Sequence, residues 1–281
     1  MNPVWKRPSN DLVSDLSRVI HPRRDDSLED LLVEDESGRI WFLNTVGNVD
    51  PRRSPRARFV YLLGAPFVNI AEVQLLEESG VTALQELGLP EATDRCFLVR
   101  VAENYATNEL PCRTMDSATA SELVFSLWIR RRDAHAENRG YNLDGIPIFF
   151  DFDLAFCMDG RGTELQDFFG HTEPGDAGTW RVQEALPEQM PISTEVARRV
   201  GHGTSVHLVQ SIASFEADAR SIARVIAGDN RNLNELAVKA GLSDYEAWRF
   251  ISLLEQTRGS LLQDTEATLD VVLGRTSRGA P

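Results

Sequence analysis

Residues 128–156 read WIRRRDAHAENRGYNLDGIPIFFDFDLAF, and this stretch decides which fold the chain is expected to adopt. A run of three arginines leads into Asp133, His135 and Asn138, which follow the spacing D-x-H-x-x-N. We interpret this polar array as a loop. The arginine run is either a solvated basic surface or a holder for a phosphorylated or acidic group.

A hairpin is predicted directly after this loop. Residues 142–145, Asn-Leu-Asp-Gly, precede the apolar run 146–150, and Asp-Gly between two apolar runs is a strong hairpin signal. The reversal of the chain brings the end of the strand back beside the loop, so we expect Asp151 to lie near Asp133 and Asn138. Two carboxylates and an amide oxygen suit a hard cation such as magnesium.

The loop, the hairpin and the second carboxylate together resemble the catalytic half of a kinase fold. In protein kinases the catalytic loop supplies an Asp base and a metal-binding Asn, and a second metal-binding Asp follows. The compressed D-x-H-x-x-N form is similar to phosphoinositide kinases, HipA-type bacterial kinases and aminoglycoside phosphotransferases. Asn138 and Asp151 are thirteen positions apart, as in the phosphoinositide and HipA-like pattern. The alternative is a basic turn before an ordinary hairpin.

This resemblance implies an α+β, bilobal protein-kinase-like fold. A small β-rich N-lobe would span residues 1–103 and cover the nucleotide, and a larger helical C-lobe would span residues 104–281. The predicted strand 96–101 would lead into the hinge, where backbone groups near Val101 and Glu103 would hydrogen-bond an adenine. The same strand is also compatible with an ordinary place in the core.

The resemblance also implies a role for each residue of the array. Asp133 would orient an acceptor hydroxyl and take its proton during phosphoryl transfer, with His135 as its support. Asn138 and Asp151 would hold Mg²⁺ beside the phosphates of ATP. Asp153 stands where glycine is common in these families, and it either adds a carboxylate near the metal or points into solvent. The expected partners are a nucleotide and an unidentified protein or small-molecule acceptor.

The N-terminal third departs from the kinase pattern. A kinase places a lysine on the third strand, against the phosphates, and fixes it with a glutamate on the neighbouring helix. No lysine occurs between Lys6 and Lys239, and residues 56–64 contain no acidic residue. We expect an arginine to replace the lysine, with a planar fork in place of a point charge. The candidates are Arg39, at the start of the predicted strand 39–46, and Arg52, Arg53 and Arg58.

These residues are compatible with four functions. The first is a Mg²⁺- and ATP-dependent kinase, a transferase that acts on a protein or small-molecule hydroxyl. The second is a pseudokinase that serves as a nucleotide-binding or interaction scaffold, which the altered N-terminal third supports. A nucleotide-transferring variant of the fold is the third. A DNA-binding helix-turn-helix at residues 232–250 is the fourth; its acidic character favours instead two packed helices that close the C-lobe.

The composition limits which partners and which cellular compartment we expect for this protein. The net charge of −14 argues against nucleic acid as the main partner. Three scattered cysteines indicate no disulfide framework, and residues 1–20 lack the apolar core of a signal peptide, so we expect a cytoplasmic protein without a membrane-spanning segment.

Periodicity predicts the remaining elements. The predicted strands are 28–34, 39–46, 68–76 and 96–101, the first two as a hairpin. The pattern at 56–64 favours neither helix nor strand. The predicted helices are a short one around Leu12, Leu16 and Val19, one within 77–94, one at 118–129, and then 196–200, 206–214, 217–226, 233–240, 244–258 and 261–273.

Overall fold

The computed structural model describes residues 16–20, 31–100, 117–131, 139–141, 147–150, 155–156 and 205–272. Over these residues the chain is α+β. The strands are β1 (Leu16–Ile20), β2 (Leu31–Asp35), β3 (Ile40–Asn44), β4 (Val73–Leu75), β5 (Phe97–Arg100), β6 (Arg139–Tyr141) and β7 (Pro147–Phe149). The helices are α1 (Arg53–Gly64), α2 (Glu78–Glu86), α3 (Ser117–Trp128), α4 (Ser205–Ala227), α5 (Leu233–Ala240) and α6 (Asp244–Val272), with a 3₁₀ turn at Val46–Asn48.

The first five strands form one antiparallel sheet in the order β1-β2-β3-β5-β4. Strand β3 alternates buried and partly exposed residues, which is the period expected of a strand with one face on the core. Trp41 and Leu43 of β3 are completely buried, as is Val33 of β2. They pack in one cluster with residues from the α2 region and from β5 and the residue before it: Leu76, Leu84, Leu89, Ala92, Cys96 and Leu98.

The turn between β2 and β3 is organised by Asp35. Its carboxylate accepts hydrogen bonds from the Ser37 hydroxyl and backbone N–H, from the Arg39 Nε and backbone N–H, and from Trp41 Nε1. Gly38 supplies the left-handed residue, φ 76°, that a short hairpin turn requires. Burial alone would raise the pKa of Asp35, but the hydrogen bonds from Ser37, Trp41 and Arg39 outweigh it and lower the pKa to about 2.

Replacing Asp35 by asparagine is expected to destabilise the protein by roughly 2 kcal/mol at pH 7. Because the folded-state pKa of Asp35 lies below its ordinary value of 3.8, the carboxylate stabilises the fold fully above about pH 4. That stability is lost as the pH falls through about 2, so the two proteins should converge in strong acid. Urea unfolding at pH 7 and at low pH measures the difference.

The matched control is Glu36→Gln, which removes an exposed carboxylate from the same turn. It should leave the free energy of unfolding unchanged at both pH values. A deficit in the Asp35→Asn protein that is equally large in strong acid would show that the charge of Asp35 is not the cause.

The chain divides into two compact units. The first contains the five-stranded sheet, α1, α2, β7 and α5, and in it α1 packs against β4 and against α5. The second contains α3, α4 and α6 from Trp248 onward, and in it α3 packs against α4. The expected boundary at residue 103 stays a prediction, because residues 101–116 lie outside the described part of the chain.

Several predicted elements are confirmed. The hairpin 28–34/39–46 forms as β2 and β3, the strand 96–101 as β5, and the helix 118–129 as α3. The ambiguous run 56–64 is helical, within α1. Residues 68–76 were expected to be a strand throughout, but only Val73–Leu75 are in one.

Other predicted elements are wrong. Residues 16–20 are not helical but form β1, because their pairing with β2 outweighs an apolar spacing that suits a short helix. The predicted breaks at residues 215–216 and at Gly259 are absent, since α4 and α6 each run without interruption through them. Helix α5 lies in the first unit, where it packs on α1, and its place in the expected C-lobe stays a prediction.

Candidate functional site

The residues that the motif nominates lie outside the described part of the chain. They are Asp133, His135, Asn138, Asp151 and Asp153 of the array, and Val101 and Glu103 of the hinge. Their assignments stay predictions. The structure does describe the segments that flank the array, and it describes the four candidate arginines.

The predicted hairpin after the array is confirmed. Strands β6 and β7 pair with each other, with residues 142–146 between them. Phe149 of β7 is completely buried, and its backbone N–H donates to the Asn69 carbonyl at 2.8 Å. Its carbonyl accepts a bond from the Ala71 N–H at 2.7 Å. These two bonds join β7 to residues 69–71, which come before β4. Phe149 is two positions before Asp151 in the chain.

Helix α3 leads the chain into the array from the other side. Its residues from Thr119 to Trp128 are all buried. The indole N–H of Trp128 donates to the Leu254 carbonyl of α6 at 3.1 Å, and the Arg258 guanidinium lies 5.5 Å from the Trp128 ring centroid. Both contacts lie within the second unit and anchor the end of α3.

An ion pair is buried at the end of this helix. Arg131 Nη1 lies 3.3 Å from Glu122 Oε1, and both side chains have 0% exposure. The interpretation of the arginine run as a solvated surface is therefore wrong for Arg131. A signal for the pair exists in the sequence, because Glu122 is the one acidic residue of an otherwise apolar and small-residue helix.

The backbone is unusual on both sides of the array. Arg130 has φ 47° and Phe156 has φ 61°, values that residues with a side chain seldom adopt. The Phe156 N–H donates to the Ile129 carbonyl at 2.8 Å, and the Phe156 ring stacks on Phe250 with centroids 4.4 Å apart. Left-handed non-glycine residues are uncommon and cluster at functional sites.

Arg39, the first candidate for the phosphate clamp, is already engaged. Its Nε lies 2.6 Å from Asp35 Oδ2, and its guanidinium is 5.6 Å from the centroid of the Trp41 ring. The side chain is about a quarter exposed, at 27%. Its Nε is committed to the carboxylate that organises the β2–β3 turn, which leaves the Nη groups as the donors that Arg39 could offer to a phosphate.

The other arginines also have partners. Arg52 Nε lies 2.8 Å from Asp50 Oδ1. Arg58 Nη1 donates to the Val73 carbonyl, and its guanidinium lies 5.4 Å from the Tyr61 ring centroid. Burial lowers the pKa of Arg58 and is the main cause that raises the pKa of Tyr61 to about 12. Arg53 is likewise engaged. These contacts join α1 to its own N-terminal turn and to β4.

Among the described residues, no group of three or more His, Cys, Asp and Glu side chains is arranged to hold a metal ion. None of the helices in the described ranges combines the length and apolar character needed to span a membrane. No protein family model, no curated protein and no solved structure matches this chain.

Proposed function

We propose that this chain is a Mg²⁺- and ATP-dependent phosphotransferase with a kinase-like fold. In this proposal Asp133 is the base, His135 supports it, and Asn138 and Asp151 hold the metal, with Asp153 as a further candidate ligand. The observation that carries the proposal is the hairpin β6–β7, which forms between Asn138 and Asp151 at the place where the motif requires it.

The arrangement of the first unit supports the same proposal. An antiparallel sheet comes first in the chain, and helix α1 lies between its third and fourth strands. A kinase fixes its nucleotide-binding lysine with a glutamate on a helix beside the third strand. Helix α1 stands at that place in the element order, but β3 carries no cation and α1 carries no acidic residue.

The engagement of the candidate arginines favours a second function, that of a pseudokinase acting as a nucleotide-binding or interaction scaffold. Arg39, Arg52 and Arg58 are held by Asp35, Asp50 and the Val73 carbonyl respectively. A phosphate clamp drawn from these three would have to use the guanidinium donors that these contacts leave over, or give up a contact. A fold that binds nucleotide weakly, or binds a protein partner instead, needs neither.

A thermal-shift titration with ATP and magnesium tests whether the protein binds nucleotide at all. A ligand at a hundred times its Kd stabilises the native state by about 2.7 kcal/mol, which corresponds to roughly 5 °C for a chain of this size. We expect a shift of that order with Mg-ATP, and a smaller shift when EDTA replaces magnesium. An unchanged Tm at millimolar Mg-ATP would remove the phosphotransferase and leave the interaction scaffold.

A further inference from the structure

The end of α3 has the hydrogen bonds of a Schellman motif, yet its residues are unusual for one. The Arg131 N–H donates to the Ser126 carbonyl at 3.0 Å and the Arg130 N–H to the Leu127 carbonyl at 3.3 Å. Arg130 takes the left-handed position that glycine usually fills. Arg131 takes the next position, which usually makes an apolar contact, and it is buried as an ion pair with Glu122.

Stability alone does not explain this choice of residues. A buried ion pair loses about as much through desolvation as it gains through attraction, and apolar residues of similar volume often serve the fold equally well. A glycine and an apolar residue would end the helix without strain or desolvation. Buried pairs are retained in some proteins because they select one path of the chain among several.

The path of the chain after α3 matters because it leads directly to Asp133, the candidate base. Arg131 is two positions before Asp133, and the Ile129 carbonyl accepts the backbone N–H of Phe156, which comes three positions after Asp153. The stack of Phe156 on Phe250 fixes this second segment against α6. The chain is therefore held at the residues that enter the array and at those that leave it.

We propose that Glu122 and Arg131 are positioning residues, which set the path of the chain from α3 into the segment that carries Asp133. The assignment of Asp133 as a base rests on the proposed function; the setting of the chain path does not. The pair acts through the end of α3 and touches neither nucleotide nor acceptor in this proposal.

The test replaces both members at once, with Glu122→Met and Arg131→Met, because a single replacement would leave an uncompensated buried charge. Hydrogen–deuterium exchange is followed in peptides that contain Ile129–Arg131 and Phe156. We expect the amides of Arg131 and Phe156 to exchange about tenfold faster or more, while those of α4 change less than about twofold. In the same protein kcat for ATP should fall about tenfold or more with KM nearly unchanged, because the base is misplaced while nucleotide contacts remain.

The matched control is Arg220→Met, which breaks a partly exposed pair with Glu266 at 2.6 Å in the same unit. This control should leave exchange near Phe156 and kcat unchanged. Exchange that stays slow at Arg131 and Phe156 in the double variant would overturn the proposal. An equal increase in the exchange rate of every helix would also overturn it, because that result indicates a pair that only stabilises the fold. A wild-type protein that neither binds nor turns over ATP would overturn the proposed function alone, since the exchange comparison still decides whether the pair sets the path.

Discussion

Replacing Asp151 by alanine is expected to lower magnesium-dependent turnover of ATP by about 10³-fold. In the proposed site this carboxylate is a direct metal ligand, and the metal supplies several kcal/mol of stabilisation to the charge that develops on the phosphoryl group. Release of labelled phosphate measures the turnover with water as acceptor, and label retained on the protein measures transfer to a hydroxyl of the chain itself. Neither readout requires that the natural acceptor be known.

The pattern of effects across variants separates the assigned roles. Asp133→Ala should lower turnover by about 10²–10⁴-fold while leaving the thermal shift with Mg-ATP in place, because a base contributes to transfer and not to nucleotide binding. Asp151→Ala should reduce both the turnover of ATP and the thermal shift with Mg-ATP. Asp94→Ala removes an exposed carboxylate from the loop before β5 and is the control expected to change neither. Wild-type turnover in both the Asp133 and the Asp151 variants would mean that the motif has been misassigned.

Replacing Gly47 by alanine is expected to destabilise the protein by about 3 kcal/mol or more. Gly47 is the buried residue of the 3₁₀ turn after β3, and a Cβ built on it would overlap the Arg95 carbonyl and the Ser54 hydroxyl. Those two groups are hydrogen-bonded to each other, which joins the start of α1 to the segment before β5. The backbone must shift to admit the methyl group. Urea unfolding should show a lower midpoint with an unchanged m-value.

Gly259→Ala makes the same chemical change at a place where the opposite sign is expected. A Cβ at Gly259 would have no heavy atom within 4 Å, and the residue lies inside α6. Alanine is favoured over glycine within helices, so this variant should be more stable by about 0.5–1 kcal/mol. A Gly47→Ala protein as stable as the wild type would contradict the close approach of Arg95. The comparison with Gly259 excludes a general effect of alanine on the unfolded chain.

Local patterns succeeded where neighbouring residues along the chain determine the outcome. Asp35-Glu36-Ser37-Gly38 predicted the β2–β3 hairpin, because the turn needs a left-handed residue and finds it in Gly38. Asp144-Gly145 between two apolar runs predicted the hairpin β6–β7. The apolar spacing from Ala120 to Trp128 predicted α3. In each case the information lies within about a dozen residues.

The same patterns failed where packing against a distant segment decides. The apolar spacing at Leu12, Leu16 and Val19 predicted a helix, but residues 16–20 form a strand because they pair with β2. Gly259 disfavours a helix locally, but Leu254, Leu261 and Leu269 of α6 are buried on either side of it, and their packing outweighs the cost of one glycine.

For the proposed site, the amino-acid order alone supplies the candidate groups and their spacing: a candidate base, an amide, a reversal of the chain and a carboxylate. The partners and the burial of the surrounding charged side chains follow from the tertiary structure. It places Arg39 on Asp35 and buries Arg131 against Glu122. The sequence does not show whether a charged side chain is exposed or buried. Its burial and its ion-pair partner determine what it can bind, and both depend on how helices and strands pack.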